Sequence, residues 1–212
     1  MARRTKEDAQ KTREQLLDAA ETVFHRKGVS KTSLNDIAEE AGLTRGALYW
    51  HFKNKHDVFE AMLERMDLPL EILHQAIAAP EQEDPLGEMR KFLYYLMSEI
   101  ANDPKRRRVY EIVLQKCELS EENASLAERH RQGFVTASER MSRILNNAIH
   151  RQQLPADLDV ERAVLFLHVQ ITGLIYMWLL RQGDFDFETE GRRVIDTYFC
   201  ILHRGFGEKN DG

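Results

Sequence analysis

Residues 44–55 read TRGALYWHFKNK, a helix start followed by small residues, large ring side chains and two lysines. Thr44 is a residue type that caps helix N-termini, and Gly46 keeps the first turn low enough to approach another surface closely. Arg45 has the forked donors that suit a guanine edge or a phosphate. The rings that can point outward are Tyr49, Trp50 and His51. This stretch predicts a helix that enters a DNA groove.

A second, shorter helix is predicted just upstream, where residues 32–43 read TSLNDIAEEAGL. Thr32 or Ser33 can cap its start, and Gly42 suits the left-handed backbone that ends many helices. A helix, a short turn containing glycine and a second capped helix form the helix-turn-helix pattern.

A longer helix is predicted before this pair, from Lys6 to about Lys27, and Gly28 ends it. Its apolar residues Ala9, Leu16, Ala20, Val23 and Phe24 recur at helical spacing. They need partners, which the two following helices supply: Leu34, Ile37, Ala38, Ala41, Leu43, Leu48 and Phe52. Residues 1–55 are therefore predicted to form a helix-turn-helix DNA-binding domain with a three-helix core.

The same residues resemble the TetR family of bacterial transcription regulators. The resemblance lies in a basic N-terminal arm with Thr12-Arg13, in Phe24 followed by Gly28, and in the run from Tyr49 to Lys55. Within that family, the opening residues 3–6 and residues 44–52 are similar to the multidrug-efflux repressors of the AcrR and TtgR kind. Shorter similarities follow at 116–118, 154–158, 173–174 and 178–180.

This resemblance implies a homodimeric, ligand-responsive repressor that controls a multidrug efflux transporter and thereby antibiotic resistance. It would bind a palindromic operator on double-stranded DNA and leave it when a hydrophobic small-molecule effector binds. The resemblance also implies a cytoplasmic, bacterial protein that is associated with the nucleoid through operator binding, with no enzymatic activity and no cofactor. The alternative is a TetR-like regulator of a metabolic operon that responds to a single metabolite.

Composition and charge fit this hypothesis. The net charge of the 212 residues is −5, but residues 1–55 carry 11 Lys and Arg against 8 Asp and Glu, so only the N-terminal part is basic. The positive electrostatic potential of this part would attract the phosphates of DNA. The two cysteines, Cys117 and Cys200, are too far apart in sequence for a metal knuckle and are expected to be core thiols. No apolar run is long enough to predict a membrane span or a targeting segment.

Residues 56–212 keep a helical pattern throughout, which predicts an all-α chain of about nine helices and a C-terminal domain for ligand binding and dimerisation. Pro69 is expected to kink the first of these helices. The later helices are predicted near 86–101, 109–114, 125–152, 160–181 and 188–205.

The last two helices are the most apolar part of the chain. Between Val164 and Leu180 nearly every face of the predicted helix is apolar, which a surface helix of a monomer would not tolerate. A dimer contact is predicted here, with Trp178 and Phe199 inside it; a helix buried in one large core is the alternative.

The resemblance also implies a ligand cavity inside the C-terminal domain. Methionine and aromatic side chains make adaptable apolar walls, and a few polar groups would orient a ligand. The residues predicted to line the cavity are Met62, Met66, Met89, Phe92, Leu96, Tyr110, Leu114, Met141, His168, Ile171, Thr172 and Ile175.

For the DNA interface, Arg45 is predicted to read a base edge, while Tyr49, His51 and Lys55 contact phosphates. Thr32 or Ser33 would hold a phosphate at the start of the second helix. Trp50 would pack either into the core of the head, residues 1–55, or against the sugar-phosphate backbone.

The sequence also contains weak signals for a di-iron site and for a cation site. Glu71 and His74 have the Glu-x-x-His spacing of di-iron bundles, but the required second pair does not occur in the sequence, so neither a metal site nor a catalytic site is predicted. Glu118, Glu121 and Glu122 could attract a cation, although a solvated turn is the simpler interpretation.

Overall fold

The computed structural model describes residues 6–117 and 124–204, and every regular element in these ranges is helical. The all-α prediction is confirmed. The helices are α1 Lys6–Lys27, α2 Leu34–Glu40, α3 Arg45–His51, α4 Lys55–Ile77, α5 Pro85–Asn102, α6 Pro104–Glu111, α7 Ala124–His150, α8 Val160–Leu180 and α9 Phe187–Arg204. A π-helical turn, Ile112–Lys116, continues α6 where the sequence predicted only an ordinary helix. The basic arm at 3–5 and the glutamates at 118–122 lie outside the described residues.

Local hydrogen bonds explain why α2 and α3 begin where they do. The Ser33 hydroxyl accepts a bond from the Asp36 amide at 3.2 Å, and the Asp36 carboxylate accepts one from the Ser33 amide at 2.9 Å. This reciprocal capping box satisfies two donors at the start of α2. Thr44 caps α3 by accepting from the Ala47 amide at 3.2 Å. Gly42, with φ of 64°, takes the left-handed conformation predicted for the turn between the two helices.

The chain divides into two compact units. The first contains residues 1–69 and 105–131, and the second contains residues 70–104 and 132–212. The predicted domain boundary after Lys55 marks the end of the helix-turn-helix, whereas the hydrophobic core of the first unit continues into α4 and α6.

The core of the first unit contains the predicted three-helix set and more. Leu16, Phe24, Ile37 and Leu48 are fully buried, as the periodicity of α1 to α3 predicted. Further buried residues from α4, α6 and the π-helical turn complete this core: Val58, Phe59, Ala61, Met62, Val109 and Ile112. The core of the first unit is thus formed by residues of α1 to α4, α6 and the π-helical turn.

In the second unit, α9 packs against both α5 and α8. Gly191 makes the α5–α9 contact close, because a Cβ atom there would lie 2.7 Å from Cγ of Met97. Trp178 and Phe199, which were predicted to lie in a dimer contact, are instead buried within their own chain. Their rings fill the core of this unit, so the dimer contact, which stays a prediction, would involve other side chains.

Helix α8 is the one helix in the described part of the chain that is long and apolar enough, by length and composition, to cross a membrane. The sequence alone predicted no membrane span. Ala163, Val164, Leu167 and Ile175 are nevertheless buried in the second unit, which accounts for one side of α8. Its other side is also apolar but is exposed.

Candidate nucleic-acid interface and ligand site

Helix α3 separates an anchoring face from an exposed face. Leu48 is completely buried and Phe52, which ends the helix, is 3% exposed, so both hold α3 against the core. Tyr49 is 48% exposed and Trp50 is 71% exposed. Arg45 is exposed one turn before Tyr49, and its guanidinium lies 5.7 Å from the centre of the Tyr49 ring. The arrangement leaves a cation and two large rings available to a groove.

Trp50 and His51 form an edge-to-face pair with ring centres 4.6 Å apart. Because Trp50 is mostly exposed, packing into the core of the head is excluded for it. The other alternative, contact with the sugar-phosphate backbone, remains a prediction. His51 is half-buried and braces the Trp50 ring from one side.

Ser33, Thr44 and Gly46 are exposed at the two helix starts. The hydroxyls of Ser33 and Thr44 are engaged in the capping bonds described above, so their predicted contact with phosphates would come in addition to capping. A Cβ atom on Gly46 would meet only the Thr44 hydroxyl, at 3.8 Å. Gly46 is therefore not required by packing within the head, which is consistent with a requirement for close approach from outside.

The structure gives two predicted phosphate ligands other partners. Thr32 is buried, and its hydroxyl donates to the Gly28 carbonyl at 2.7 Å. Lys55 donates from Nζ to the carbonyls of Val29 at 2.8 Å and Ser30 at 3.0 Å, and burial lowers the pKa of its ammonium group. Both side chains thus hold the loop between α1 and α2, a role that sequence spacing could not reveal.

The acidic side chains of α2 are matched by basic side chains at the end of α1. Arg26 pairs with Glu40 and Lys27 with Asp36, each at 2.7 Å. The bond from Lys27, with further bonds from Ser33, lowers the pKa of Asp36 to about 2. The α2 carboxylates are thereby partly neutralised beside the proposed DNA face.

The residues predicted to line a ligand cavity are distributed over both units. Met62 is buried in the core of the first unit, Met66 packs against that core, and Tyr110 is half-buried there. Leu114 lines a half-open cavity of 240 Å³ with the ends of α1 and of the π-helical turn. In the second unit, Met89, Phe92, Met141 and Ile175 are buried, Leu96, His168 and Ile171 are half-buried, and Thr172 is exposed. Which of these residues line a ligand cavity stays a prediction.

A polar cluster within the second unit was not predicted as a ligand site. Arg140 on α7 pairs with Glu71 on α4 at 2.6 Å. His74 lies one turn after Glu71, and the centre of its ring is 4.0 Å from the centre of the Phe92 ring. The ring centres of His168 and Phe134 are 4.7 Å apart. The Glu71–His74 spacing is visible in the sequence, but Arg140, His168 and the two phenylalanines come from other helices and have no local signal.

Two buried side chains of the second unit, one of them in this cluster, have a poorly satisfied polar atom. Within the ranges that the structure describes, Nε2 of His74 and the hydroxyl of Ser138 are buried without a hydrogen-bond partner. Burial, the charge of Arg140 and the neighbouring His168 lower the pKa of His74 to about 4, and burial also lowers the pKa of His168. Buried polar atoms without partners are costly, so such atoms often mark a place where a ligand or water supplies the missing bond.

The structure does not support the di-iron alternative. Glu71 is engaged by Arg140, and His74 faces an aromatic ring. In residues 6–117 and 124–204, no group of three His, Cys, Asp or Glu side chains is placed to hold a metal ion.

Comparison with known proteins covers nearly the whole chain. Residues 16–62 match the family described as bacterial regulatory proteins of the tetR family, and residues 84–204 match the C-terminal region of MAATS-type transcriptional repressors. The probable helix-turn-helix transcriptional regulator ArpR of Pseudomonas putida is 40% identical over 202 residues, covering 95% of this chain and 96% of ArpR.

Two solved structures are similar as well. The complex of SmeT with triclosan superposes with a TM-score of 0.85 at 33% identity and covers 91% of each chain; SmeT represses the Stenotrophomonas maltophilia efflux pump SmeDEF. NalD, the secondary repressor of the MexAB-OprM multidrug efflux pump in Pseudomonas aeruginosa, has a TM-score of 0.82 at 34% identity, covering 94% of this chain and 100% of NalD. Given this agreement in sequence and fold, the chain belongs to the TetR family of bacterial transcription regulators.

Proposed function

We propose that this protein is a dimeric repressor of a multidrug efflux transporter gene, released from its operator by hydrophobic small molecules. The observation that carries the proposal is the exposed Arg45–Trp50 face of α3, mounted on a fully buried Leu48, in a chain that aligns along nearly its whole length with efflux repressors. Such a protein works in the bacterial cytoplasm, at its operator, and it needs no catalytic group.

The DNA-binding part of the proposal rests on what α3 leaves exposed. Arg45 reads a base edge in the major groove, Tyr49 contacts a phosphate, and Trp50 lies against the sugar-phosphate backbone. Ser33 and Thr44 bring the N-termini of α2 and α3 close to phosphates, where helix dipoles favour negative charge. Since Thr32 and Lys55 have partners inside the head, they shape this surface indirectly.

The dimer part rests on the exposed face of α8. This face carries large apolar residues at helical spacing: Leu165, Val169, Tyr176, Met177 and Leu180. Gly173 lies on the same side, and a Cβ atom there would meet nothing within 4 Å. A glycine inside a helix costs about 1 kcal/mol relative to alanine, so its presence without an internal packing reason supports close approach by a second helix. We assign this face to a second copy of the chain, because paired operator half-sites require two heads.

The ligand part rests on the second unit. Met89, Phe92 and Met141 provide an adaptable apolar wall, and His74 with Ser138 provides polar atoms that lack partners. Triclosan, which is bound to the structural relative SmeT, is an aromatic molecule of the expected kind and a suitable first probe. A single polar metabolite is the second candidate ligand, and the Arg140–Glu71 pair beside two histidines is the observation that favours it.

One experiment tests the proposal as a whole. Duplexes that bind the purified protein are selected from a random library, and their affinity is then measured with and without triclosan and a panel of other hydrophobic compounds. We expect a palindrome with half-site centres separated by one or more helical turns of about 34 Å, and weaker binding in the presence of at least one compound. Selection of no palindrome would refute operator binding. A palindrome whose affinity responds only to a polar metabolite would favour the alternative regulator.

A further inference from the structure

A half-open cavity of 240 Å³ lies within the first unit, between the end of α1 and the π-helical turn. Among the described residues that line it, four are basic and none is acidic; the basic ones are Arg26, Lys27, Lys31 and Lys116. Leu114 is the one large apolar residue of this described lining. A cavity with such walls suits an anion better than a hydrophobic molecule.

The two walls of this cavity are joined through the backbone. The Val29 amide donates to the Lys116 carbonyl at 3.0 Å. Gly28, with φ of 82°, allows this approach, and a Cβ atom there would touch the same carbonyl oxygen at 3.5 Å. The bonds from Lys55 to the carbonyls of Val29 and Ser30 hold the loop from its other side. The basic side chains are therefore carried by backbone that is held in place before any ligand binds.

Only part of the positive charge around the cavity is balanced. Arg26 and Lys27 each pair with a carboxylate of α2 at 2.7 Å. Within residues 6–117 and 124–204, by contrast, Lys31 and Lys116 have no ion-pair partner. Like charges that are held around one space repel each other, and an anion inside that space would remove the repulsion.

The segment that carries Lys116 is itself unusual. π-Helical segments are rare, and they are found frequently at functional sites. The π-helical turn is followed directly by Cys117, whose side chain also borders the cavity. The Cys117 sulfur lies close enough to the Lys55 ammonium group for the two to interact electrostatically. The thiol is thus in a region of positive potential.

Size and charge limit what the cavity can bind. Pockets for drug-sized ligands have volumes of about 300 to 1,000 Å³, so a cavity of 240 Å³ suits a smaller molecule. Ammonium groups and the guanidinium fork form strong, charge-assisted bonds with phosphate and carboxylate oxygens.

We propose that this cavity binds a small oxyanion with at least two negative charges, of the phosphate or polycarboxylate type. Lys31 and Lys116 supply the unbalanced charge, and Arg26 and Lys27 complete the set of donors. The bound anion joins the loop before α2 to the π-helical turn and so stabilises the loop that precedes α2. This site goes beyond the proposed function, because its described walls belong to the first unit and its ligand is not a hydrophobic effector.

Calorimetric titration of the full-length protein without DNA tests the proposal directly. Inorganic phosphate and citrate are the two probes, and sodium chloride keeps the ionic strength constant, so that general screening does not change. We expect one site per chain for at least one probe, with a dissociation constant of about 1 mM or less. Binding of phosphate alone or of citrate alone identifies the class of anion. No binding of either probe at about 10 mM would overturn the proposal.

Charge variants then assign the binding to this cavity. Lys31→Gln and Lys116→Gln should each weaken binding of the anion by about fivefold or more, because each removes an uncompensated charge beside it. The matched control is Lys11→Gln, which removes an exposed charge near the start of α1 and should change binding by less than about twofold. If neither anion binds and both cavity variants instead lower the salt dependence of operator binding, the lysines belong to the DNA interface and the proposal is wrong.

The two cysteines provide a second readout of position. Iodoacetate is an anion and iodoacetamide is neutral, and both alkylate a thiolate with loss of iodide. Rates at each cysteine are measured by mass spectrometry and divided by the rates in unfolded protein. We expect the ratio of iodoacetate to iodoacetamide rates to be at least about fivefold higher at Cys117 than at Cys200, which is exposed on α9.

The anion that binds in the titration should slow the reaction of iodoacetate with Cys117 and leave Cys200 unchanged. Equal rate ratios at the two cysteines, or equal slowing at both, would show that the anion does not bind in this cavity. Because these measurements use neither DNA nor a hydrophobic effector, their outcome does not depend on whether the protein represses an efflux gene.

Discussion

The two units of this protein differ in how their functional residues are brought together. In the first unit, a single twelve-residue stretch supplies the cap Thr44, the anchors Leu48 and Phe52, and the exposed Arg45 and Trp50. In the second unit, the polar cluster combines side chains from four helices, α4, α5, α7 and α8. A DNA-binding face set by the period of one helix can be recognised from sequence, whereas a cavity set by packing between helices cannot.

The largest expected effect concerns the apolar face of α8, which belongs neither to the recognition stretch of the first unit nor to the polar cluster of the second. Val169→Asp should convert the dimer to monomers, because a charge without a counter-ion cannot be buried in an apolar contact. Two linked heads gain affinity from simultaneous engagement, so operator affinity should fall by about 100-fold or more although the head is unchanged. Analytical ultracentrifugation and operator titration measure the two effects.

Two controls accompany this variant. Glu161→Gln alters an exposed polar residue at the start of the same helix and should leave the dimer intact. Trp178→Asp should lower folding stability instead, since Trp178 is buried in its own chain. A Val169→Asp protein that remains dimeric would place the interface elsewhere.

The second effect is a dependence of folding stability on pH, which we expect from His74 in the buried cluster of the second unit. The pKa of His74 is lowered to about 4 in the folded protein, with Arg140 and His168 facing it and Glu71 paired to Arg140. The unfolded chain, with an ordinary histidine pKa of about 6.5, takes up a proton first as the pH falls. Stability is therefore complete above about pH 6.5 and decreases as the pH falls towards 4, by about 2 kcal/mol between pH 7 and pH 5.

Urea unfolding at fixed protein concentration measures this dependence. His74→Leu should reduce the loss of unfolding free energy between the two pH values by about that amount, whereas His150→Leu, at the exposed end of α7, should not. The same pH dependence in the His74→Leu protein would show that His74 is not the group that titrates.

The third effect tests the motif of the first unit. Arg45→Ala should weaken operator binding by about 1 to 3 kcal/mol and relax the preference at one base pair. Titration against the operator and against duplexes changed at single positions provides the measurement. Equal loss on operator and random DNA would assign Arg45 to a phosphate instead of a base.

Features that depend on nearby residues could be predicted from the sequence, whereas features that depend on contacts between distant helices could not. The all-α fold, the bounds of α1, the N-terminal cap Thr44 of α3 and the burial of Leu48 were predicted correctly, because each depends on neighbours within one or two helical turns. Trp178 and Phe199 were placed in an interface because composition cannot tell a core face from a dimer face. The Arg140–Glu71 pair was missed because α7 and α4 are far apart in sequence, and the π-helical turn had no recognisable signal.

The smallest effect concerns Lys53 and Lys55, which are two positions apart in sequence but have different surroundings in the structure. Lys53 is exposed beyond α3, whereas Lys55 donates to the carbonyls of Val29 and Ser30. Lys53→Ala should weaken binding to all DNA sequences alike and reduce the slope of log affinity against log salt by about 0.9, the value for one lost phosphate contact. Lys55→Ala should leave that slope unchanged and lower the urea midpoint of unfolding, since two carbonyls lose their donor. The opposite result, in which only Lys55→Ala changes the slope, would mean that Lys55 leaves the loop and contacts a phosphate when DNA binds.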